Sequence, residues 1–290
     1  MVSSVRQTGL SNAADCHVHV FDTARFPYAR RAAYKPPPQE AATARQLLGV
    51  LDAHGLTHAL LVNPTSGYGY DNGCMLAAIA RSPERFRGIA RLRPTVTDRE
   101  LERLSRGGVI GLRLDLVGDG VELLRGRRAA RLLARLAERS WIVQIQCEKD
   151  QLAAVAPLLR ESRAQLLIDH CGRPDPAQGL RQPGFRALLG LAATGRAAVK
   201  LSGAFRFSRR PWPHGDADRF AKAIVDAFTP ANCVWGSDWP FLRMPMRVDY
   251  GPTLACLERW VPGAADRRRV LWSTPARLLG FKPIPGSGAR

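Results

Sequence analysis

Along the chain, short apolar and β-branched runs alternate with longer stretches in which apolar residues recur every three or four positions. Eight runs have the length and residue types of buried strands: Asp15 to Phe21, His58 to Pro64, Arg87 to Leu92, Val109 to Leu116, Ile142 to Glu148, Leu166 to Cys171, Ala197 to Gly203 and Cys233 to Trp239. Most are nearly continuous in apolar character, which predicts a parallel sheet covered by helices on both faces. Eight such units in 290 residues predict a closed (β/α)8 TIM barrel of the α/β class, forming a single domain over residues 1–290. An open doubly wound sheet is the competing arrangement, but no G-x-G-x-x-G or G-x-x-x-x-G-K-[ST] turn follows any of the strands.

The helical segments carry ordinary stop and start signals. Gly55 closes the first, Pro83 punctuates the second, and Thr97 or Asp98 caps the third. Residues 22–40, with Arg25, Tyr28, Tyr34 and the run Pro36, Pro37, Pro38, are too long and proline-rich for a plain βα turn and are expected to form a loop over the barrel mouth. Ala204 to Asp216 forms a second long connection at the same face, and the Pro-, Gly- and Ser-rich tail over 282–290 is expected to be loosely held.

Composition narrows the class without naming a chemistry. Apolar residues at 46% and charged residues at 23% are ordinary globular values. The net charge of +18 is not ordinary, and only Lys35, Lys149, Lys200, Lys222 and Lys282 among the 43 basic residues are lysines. An arginine excess of this kind points to an anionic partner: nucleic acid, a membrane surface or a small carboxylate. Arg128, Arg131, Arg135 and Arg139 form one stripe of a helix whose other side carries Leu132, Leu133 and Leu136, so they read as a solvated face, as does Arg267 to Arg269. Aromatic residues are not interleaved with basic ones, which speaks against single-strand binding. Six scattered cysteines without a Cys-x-x-Cys pair read as buried thiols, and the start of the chain lacks a signal-peptide core, so a soluble cytoplasmic protein without membrane association is expected.

In such a barrel the active site lies at the carboxyl ends of the strands, so polar residues late in apolar runs are the candidates. His17 and His19 on the first run are two apart and share a face. The sixth run ends in Asp169 and His170, the eighth in Ser237 and Asp238, the fourth holds Arg113, and the fifth holds Gln144 and Gln146. His17, His19, His170 and Asp238 would converge at one mouth. Arg113, Arg173 and Arg206 lie at or just beyond strand ends, where guanidinium forks match carboxylates. Arg113, inside an apolar run, requires an anion nearby.

The segments DCHVHVFD, RFRGIARLRP, GVIGLRLDL, LLIDHCGRPD, VKLSGAFRFS and VWGSDWPF resemble the amidohydrolase superfamily, and within it the amidohydrolase-2 type lactonases such as the pyrone-dicarboxylate hydrolases. The resemblance spans about residues 14–281, taken as the domain core. It implies a hydrolase that opens a carboxylated lactone, foremost 2-pyrone-4,6-dicarboxylate, in the catabolism of lignin-derived aromatic acids. In that reading Asp238 activates water, and His17, His19 and His170 polarise the carbonyl. Arg113, Arg173, Arg206, Tyr34, Thr65 and Ser66 then contact the substrate. Three positions depart from the family pattern: Asp119 stands where a further arginine is found, Gln146 replaces a tyrosine, and Arg243 replaces an asparagine and is a candidate for the missing positive charge.

The resemblance also implies that no metal is required. The residues leave an alternative, one zinc held by His17, His19, His170 and Asp238 in a single-metal hydrolase or decarboxylase on the same scaffold. A binuclear centre is disfavoured, because Arg113 and Gln146 occupy places where further ligands would be needed. A basic nucleic-acid-binding protein using the barrel as a scaffold is the more distant alternative.

Overall fold

The computed structural model describes residues 12–32 and 34–285. Eight parallel strands follow one another in chain order around a nearly closed barrel: β1 (Ala14–Val18), β2 (His58–Val62), β3 (Phe86–Ala90), β4 (Val109–Asp115), β5 (Ile142–Gln146), β6 (Gln165–Ile168), β7 (Ala197–Ser202) and β8 (Cys233–Gly236). The expected TIM barrel is therefore the fold. Helices α1 (Ala44–Ala53), α2 (Gly73–Arg81), α3 (Asp98–Arg106), α4 (Gly126–Glu138), α5 (Gln151–Glu161) and α6 (Pro183–Gly190) pack between successive strands. After β7 come a short α7 (Ala204–Phe207) and α8 (Asp218–Phe228), and after β8 the helix α9 (Tyr250–Trp260). Thr97 caps α3 by accepting from the Glu100 amide, as its position suggested.

Period-two alternation sends each strand's residues to two different cores. Outward residues such as Leu61, Val143, Leu166, Val199 and Trp235 meet Leu47, Leu51, Leu132, Leu136, Leu159 and Ile224 of the helices. Inward residues Ala14, Cys16, Leu60, Val62, Ile89, Leu167, Ala198 and Val234 fill the lower barrel. All six cysteines are free and buried.

The barrel shuts where the first strand meets the turn after the last. Asp238 donates its amide to the His17 carbonyl (2.8 Å), and His19 donates to the Trp239 carbonyl (2.9 Å). The Asp15 carboxyl locks this seam by accepting from the amides of His17 (3.0 Å) and Ser237 (2.9 Å), while the Tyr250 hydroxyl donates to it at 2.7 Å. At the other end of the barrel His58 is buried, its Nε2 2.9 Å from the Lys282 carbonyl, and burial pushes its pKa down to about 4. The tail expected to be loose is tied at its start by that bond and by Ile284, whose amide donates to Asn12. Positions 286–290 lie outside the described residues.

The outer arginines behave as a solvated face. Arg135 and Arg139 both pair with Asp98, Arg103 with Glu100 and Arg269 with Asp266. Among the described residues no helix is long and apolar enough to cross a membrane.

Candidate active site

Along the barrel axis the inward-facing positions change from apolar to ionisable. Counting by twos, β7 runs from Ala198 to Lys200 and Ser202, β5 from Ile142 to Gln144 and Gln146, and β4 presents Arg113 and Asp115. On β1 the pairing register shifts between Asp15 and Val18. A bulge of this kind re-aims side chains, and here Ala14, Cys16 and His17 all reach the interior.

His17, His19, His170 and Asp238 do come together. Asp238 is 2% exposed. Its Oδ1 lies 3.7 Å from His17 Nε2 and 3.4 Å from His19 Nε2, and its Oδ2 lies 3.7 Å from His170 Nε2. Arg206 donates from Nε to Oδ2 at 2.6 Å and from Nη1 to the Leu242 carbonyl at 2.7 Å. Burial works to raise the Asp238 carboxyl, but the Arg206 guanidinium and the surrounding imidazoles hold it well below the usual carboxylate range. It is an anion at neutral pH. Burial, reinforced by the Lys200 charge, pushes His17 well below the usual imidazole range. Burial takes His170 down to about 4, so both rings are neutral where Asp238 is charged.

Each imidazole is also held from behind through Nδ1. His19 donates Nδ1–H to the Val62 carbonyl at 2.7 Å, and His170 Nδ1 meets Ser202 Oγ at 2.9 Å. His17 Nδ1 faces Lys200 Nζ at 3.1 Å and Asp169 Oδ1 at 3.3 Å. Two glycines make room for this packing. A Cβ on Gly236 would lie 2.7 Å from His17 Cβ, and one on Gly203, at φ +64, would lie 2.8 Å from His170. His170, Cys171, Arg173 and Asp238 themselves adopt left-handed backbone (φ 49, 54, 44 and 66). Strands six and eight accordingly end at Ile168 and Gly236, short of the ends read from the apolar runs.

The three strand-end arginines are all present, and each already has an anion. Arg113 Nε lies 3.5 Å from Asp169, Arg173 pairs with Glu148 at 3.1 Å, and Arg206 pairs with Asp238. Arg113 Nε, Arg173 Nε and Gln146 Oε1 are buried without a hydrogen-bond partner, so polar capacity remains for a ligand. Thr65 donates to Asp115 at 2.9 Å, with the half-buried Ser66 beside it in sequence. Tyr34 donates to Glu40 at 2.6 Å, and the exposed Arg243 stacks 4.6 Å above the Tyr34 ring, so these two meet each other at the rim. Asp119 makes a two-oxygen pair with Arg91 (2.6 and 2.7 Å). A cavity of about 340 Å³ lies between the ends of β7 and β8 and helix α9, lined by Ser202, Gly203, Phe205, Trp235 and Trp260, among others, and by none of His17, His19, His170 or Asp238.

A family model described as an amidohydrolase matches residues 14–281. The chain belongs to the amidohydrolase-2 family. Among its curated relatives, this family member is 33% identical over 276 residues to the 4-sulfomuconolactone hydrolase of Rhizobium radiobacter, covering 92% of this chain and 90% of that one. It is 27% identical over 282 residues to the 2-pyrone-4,6-dicarboxylate hydrolase of Comamonas testosteroni, again covering 92% and 90%. A solved probable 2-pyrone-4,6-dicarboxylic acid hydrolase from Acinetobacter baumannii, with citric acid bound, superposes with a TM-score of 0.85 at 30% identity, covering 93% of this chain and all of that one.

Sequence reasoning missed Lys200, Ser202 and Glu148, and did not foresee which acid each arginine meets. Lys200 is 0% exposed, and it bonds to Gln144 Oε1 at 2.8 Å and lies 3.1 Å from Asp169. Its signal was present: a lysine inside AAVKLSG is as anomalous as Arg113 inside VIGLRLDL.

Proposed function

We propose that this protein hydrolyses a lactone bearing carboxylate groups, with 2-pyrone-4,6-dicarboxylate or a near relative from aromatic-acid breakdown as substrate. The observation that carries the reading is the buried, ionised Asp238 ringed by the Nε2 atoms of three histidines at the mouth of the barrel. A carboxylate so placed accepts a proton from water as the water oxygen bonds to the lactone carbonyl carbon. Negative charge then develops on the carbonyl oxygen, and an imidazole carrying its proton on Nε2 stabilises it. Collapse of the tetrahedral species breaks the ring C–O bond, and the ring oxygen takes up the proton. Arg173, with an unpartnered buried Nε–H, orients the substrate carboxylates together with Arg113 and Arg206, with Gln146, Thr65 and Ser66 as further contacts and Tyr34 and Arg243 at the rim. Orientation of this kind contributes several kcal/mol to lowering a barrier.

His17, His170 and Asp238 offer ligand atoms within 4.8 Å of one another, a grouping that could hold a metal ion. A histidine that ligates through Nε2 directs its Nδ1–H to an acceptor. His19 meets this condition at Val62 and His170 at Ser202 Oγ, whereas His17 Nδ1 lies between the Lys200 ammonium at 3.1 Å and Asp169 Oδ1 at 3.3 Å, and Asp238 Oδ2 is already taken by Arg206. The cations Lys200, Arg113 and Arg206 around the cluster further oppose a dication. These contacts support hydrolysis without a resident metal.

The test is loss of the pyrone ultraviolet chromophore, run against a panel that includes 2-pyrone-4,6-dicarboxylate and 4-sulfomuconolactone. Asp238→Asn should abolish turnover while leaving substrate binding largely intact. Rates like those of the native enzyme in that variant, or no turnover of any panel member by the native enzyme, would sink the reading.

A further inference from the structure

We propose that Lys200 is a positioning residue that fixes His17 in the tautomer with its proton on Nε2, so that His17 presents a hydrogen-bond donor to the lactone carbonyl. This rests on the hydrolytic reading above and assigns the donor within it.

The network beneath the cluster sets this tautomer. Asp169 is 0% exposed and lies between Lys200 (3.1 Å), His17 (3.3 Å) and Arg113 (3.5 Å), so its carboxylate is ionised and can only accept. The Gln144 atom that meets Asp169 Oδ2 at 3.0 Å is therefore its amide nitrogen, which turns Gln144 Oε1 towards Lys200 at 2.8 Å. Lys200 Nζ donates to Gln144 Oε1 at 2.8 Å and lies 3.1 Å from His17 Nδ1, while its contact with Asp169 Oδ1 at 3.1 Å is an ion pair without a hydrogen bond. An ammonium can only donate, so the hydrogen bond between Lys200 and His17 puts the lone pair on Nδ1, with Asp169 Oδ1 standing 3.3 Å away as the competing acceptor. The ring proton sits on Nε2, an atom that is buried, has no hydrogen-bond partner, and lies 3.7 Å from Asp238 Oδ1.

The contrast with His19 gives the two histidines of β1 different work. His19 donates Nδ1–H to Val62, so its Nε2 holds a lone pair beside Asp238 and can accept a hydrogen from the attacking water. His17 has the opposite tautomer and donates to the carbonyl oxygen as charge builds there. β7 supports both sides of the cluster from adjacent inward positions, with Lys200 behind His17 and Ser202 behind His170.

The side-chain nitrogen-15 NMR spectrum of the full-length labelled enzyme reads the tautomer directly, with the His17 signals assigned by their loss in His17→Gln. The expected result is a protonated nitrogen at Nε2 and a bare one at Nδ1. In Lys200→Met the proton should move to Nδ1, where Asp169 accepts it. Turnover should fall about 100-fold, the usual effect of losing one such donor, while KM changes less than about threefold. A native His17 protonated at Nδ1 would overturn the proposal even if Lys200→Met does not fold. So would a folded Lys200→Met that keeps both the tautomer and the turnover. The spectrum needs no substrate, so a protein that opens none of the lactones defeats the hydrolytic reading while the spectrum still decides the role of Lys200.

Discussion

Gly203→Ala, set against Gly195→Ala, separates backbone strain from displacement of a catalytic ring. The two glycines have nearly the same left-handed backbone, φ +64 and φ +65. A Cβ at Gly195 meets nothing within 4 Å, whereas one at Gly203 lies 2.8 Å from Cβ, Cγ and Nδ1 of His170. Both variants carry the left-handed penalty of about 1–2 kcal/mol for a side chain. Only Gly203→Ala must also push the imidazole back towards ordinary contact at 3.4 Å or more. Overpacking of this kind adds about 1–3 kcal/mol of destabilisation. The ring would shift by a sizeable fraction of an ångström, and since a displacement of about 1 Å can lower turnover about 100-fold, a fall of roughly 10-fold or more is expected. Urea denaturation and steady-state kinetics on both variants measure the two effects. Equal stability and equal turnover in the two would refute the claim that Gly203 exists to seat His170.

Two further outcomes are expected. Prolonged chelation should leave lactone turnover unchanged, with less than one equivalent of zinc in the purified protein by elemental analysis; stoichiometric zinc whose removal kills activity would instead favour the His17, His170 and Asp238 metal site. His58 should make the native protein acid-sensitive: its pKa is about 4 when folded against 6.5 when free, so the unfolded chain binds the proton first and stability is lost as pH falls between those values. The linkage amounts to about 3 kcal/mol, and the unfolding free energies of native protein and His58→Gln from urea titrations should converge by that amount between about pH 7.5 and pH 4.

The barrel was legible because a strand buried on both faces must be apolar nearly throughout, and eight such runs leave few alternatives. Asp238 and the three histidines around it were legible for the same reason: a histidine or aspartate in such a run is out of place unless it faces the mouth. Strand ends were less so. Cys171 and Trp239 continue the apolar pattern, and nothing in their side chains reveals that His170 and Asp238 turn left-handed and stop the ladder. The pairing of charges was not legible at all. Arg173 meets Glu148, and Arg91 meets Asp119, across different βα connections whose approach depends on sheet register and loop path. Asp119, which stands where the family pattern has an arginine, proves to be the partner of Arg91. Lys200 is the avoidable omission, since counting by twos from Ala198 reaches it.

The seam locked by Asp15 and Ser237, 222 residues apart, sets when this chain can become an enzyme. His17 leaves the ribosome early and Asp238 near the end, and only barrel closure brings them together. A nascent chain with seven strands holds every histidine of the cluster and lacks Asp238, so on the hydrolytic reading proposed above activity should switch on at the final act of folding rather than grow with chain length. On the hydrolytic reading proposed above, any chain cut before Asp238 should be inert for the same reason, however well its first seven strands pair.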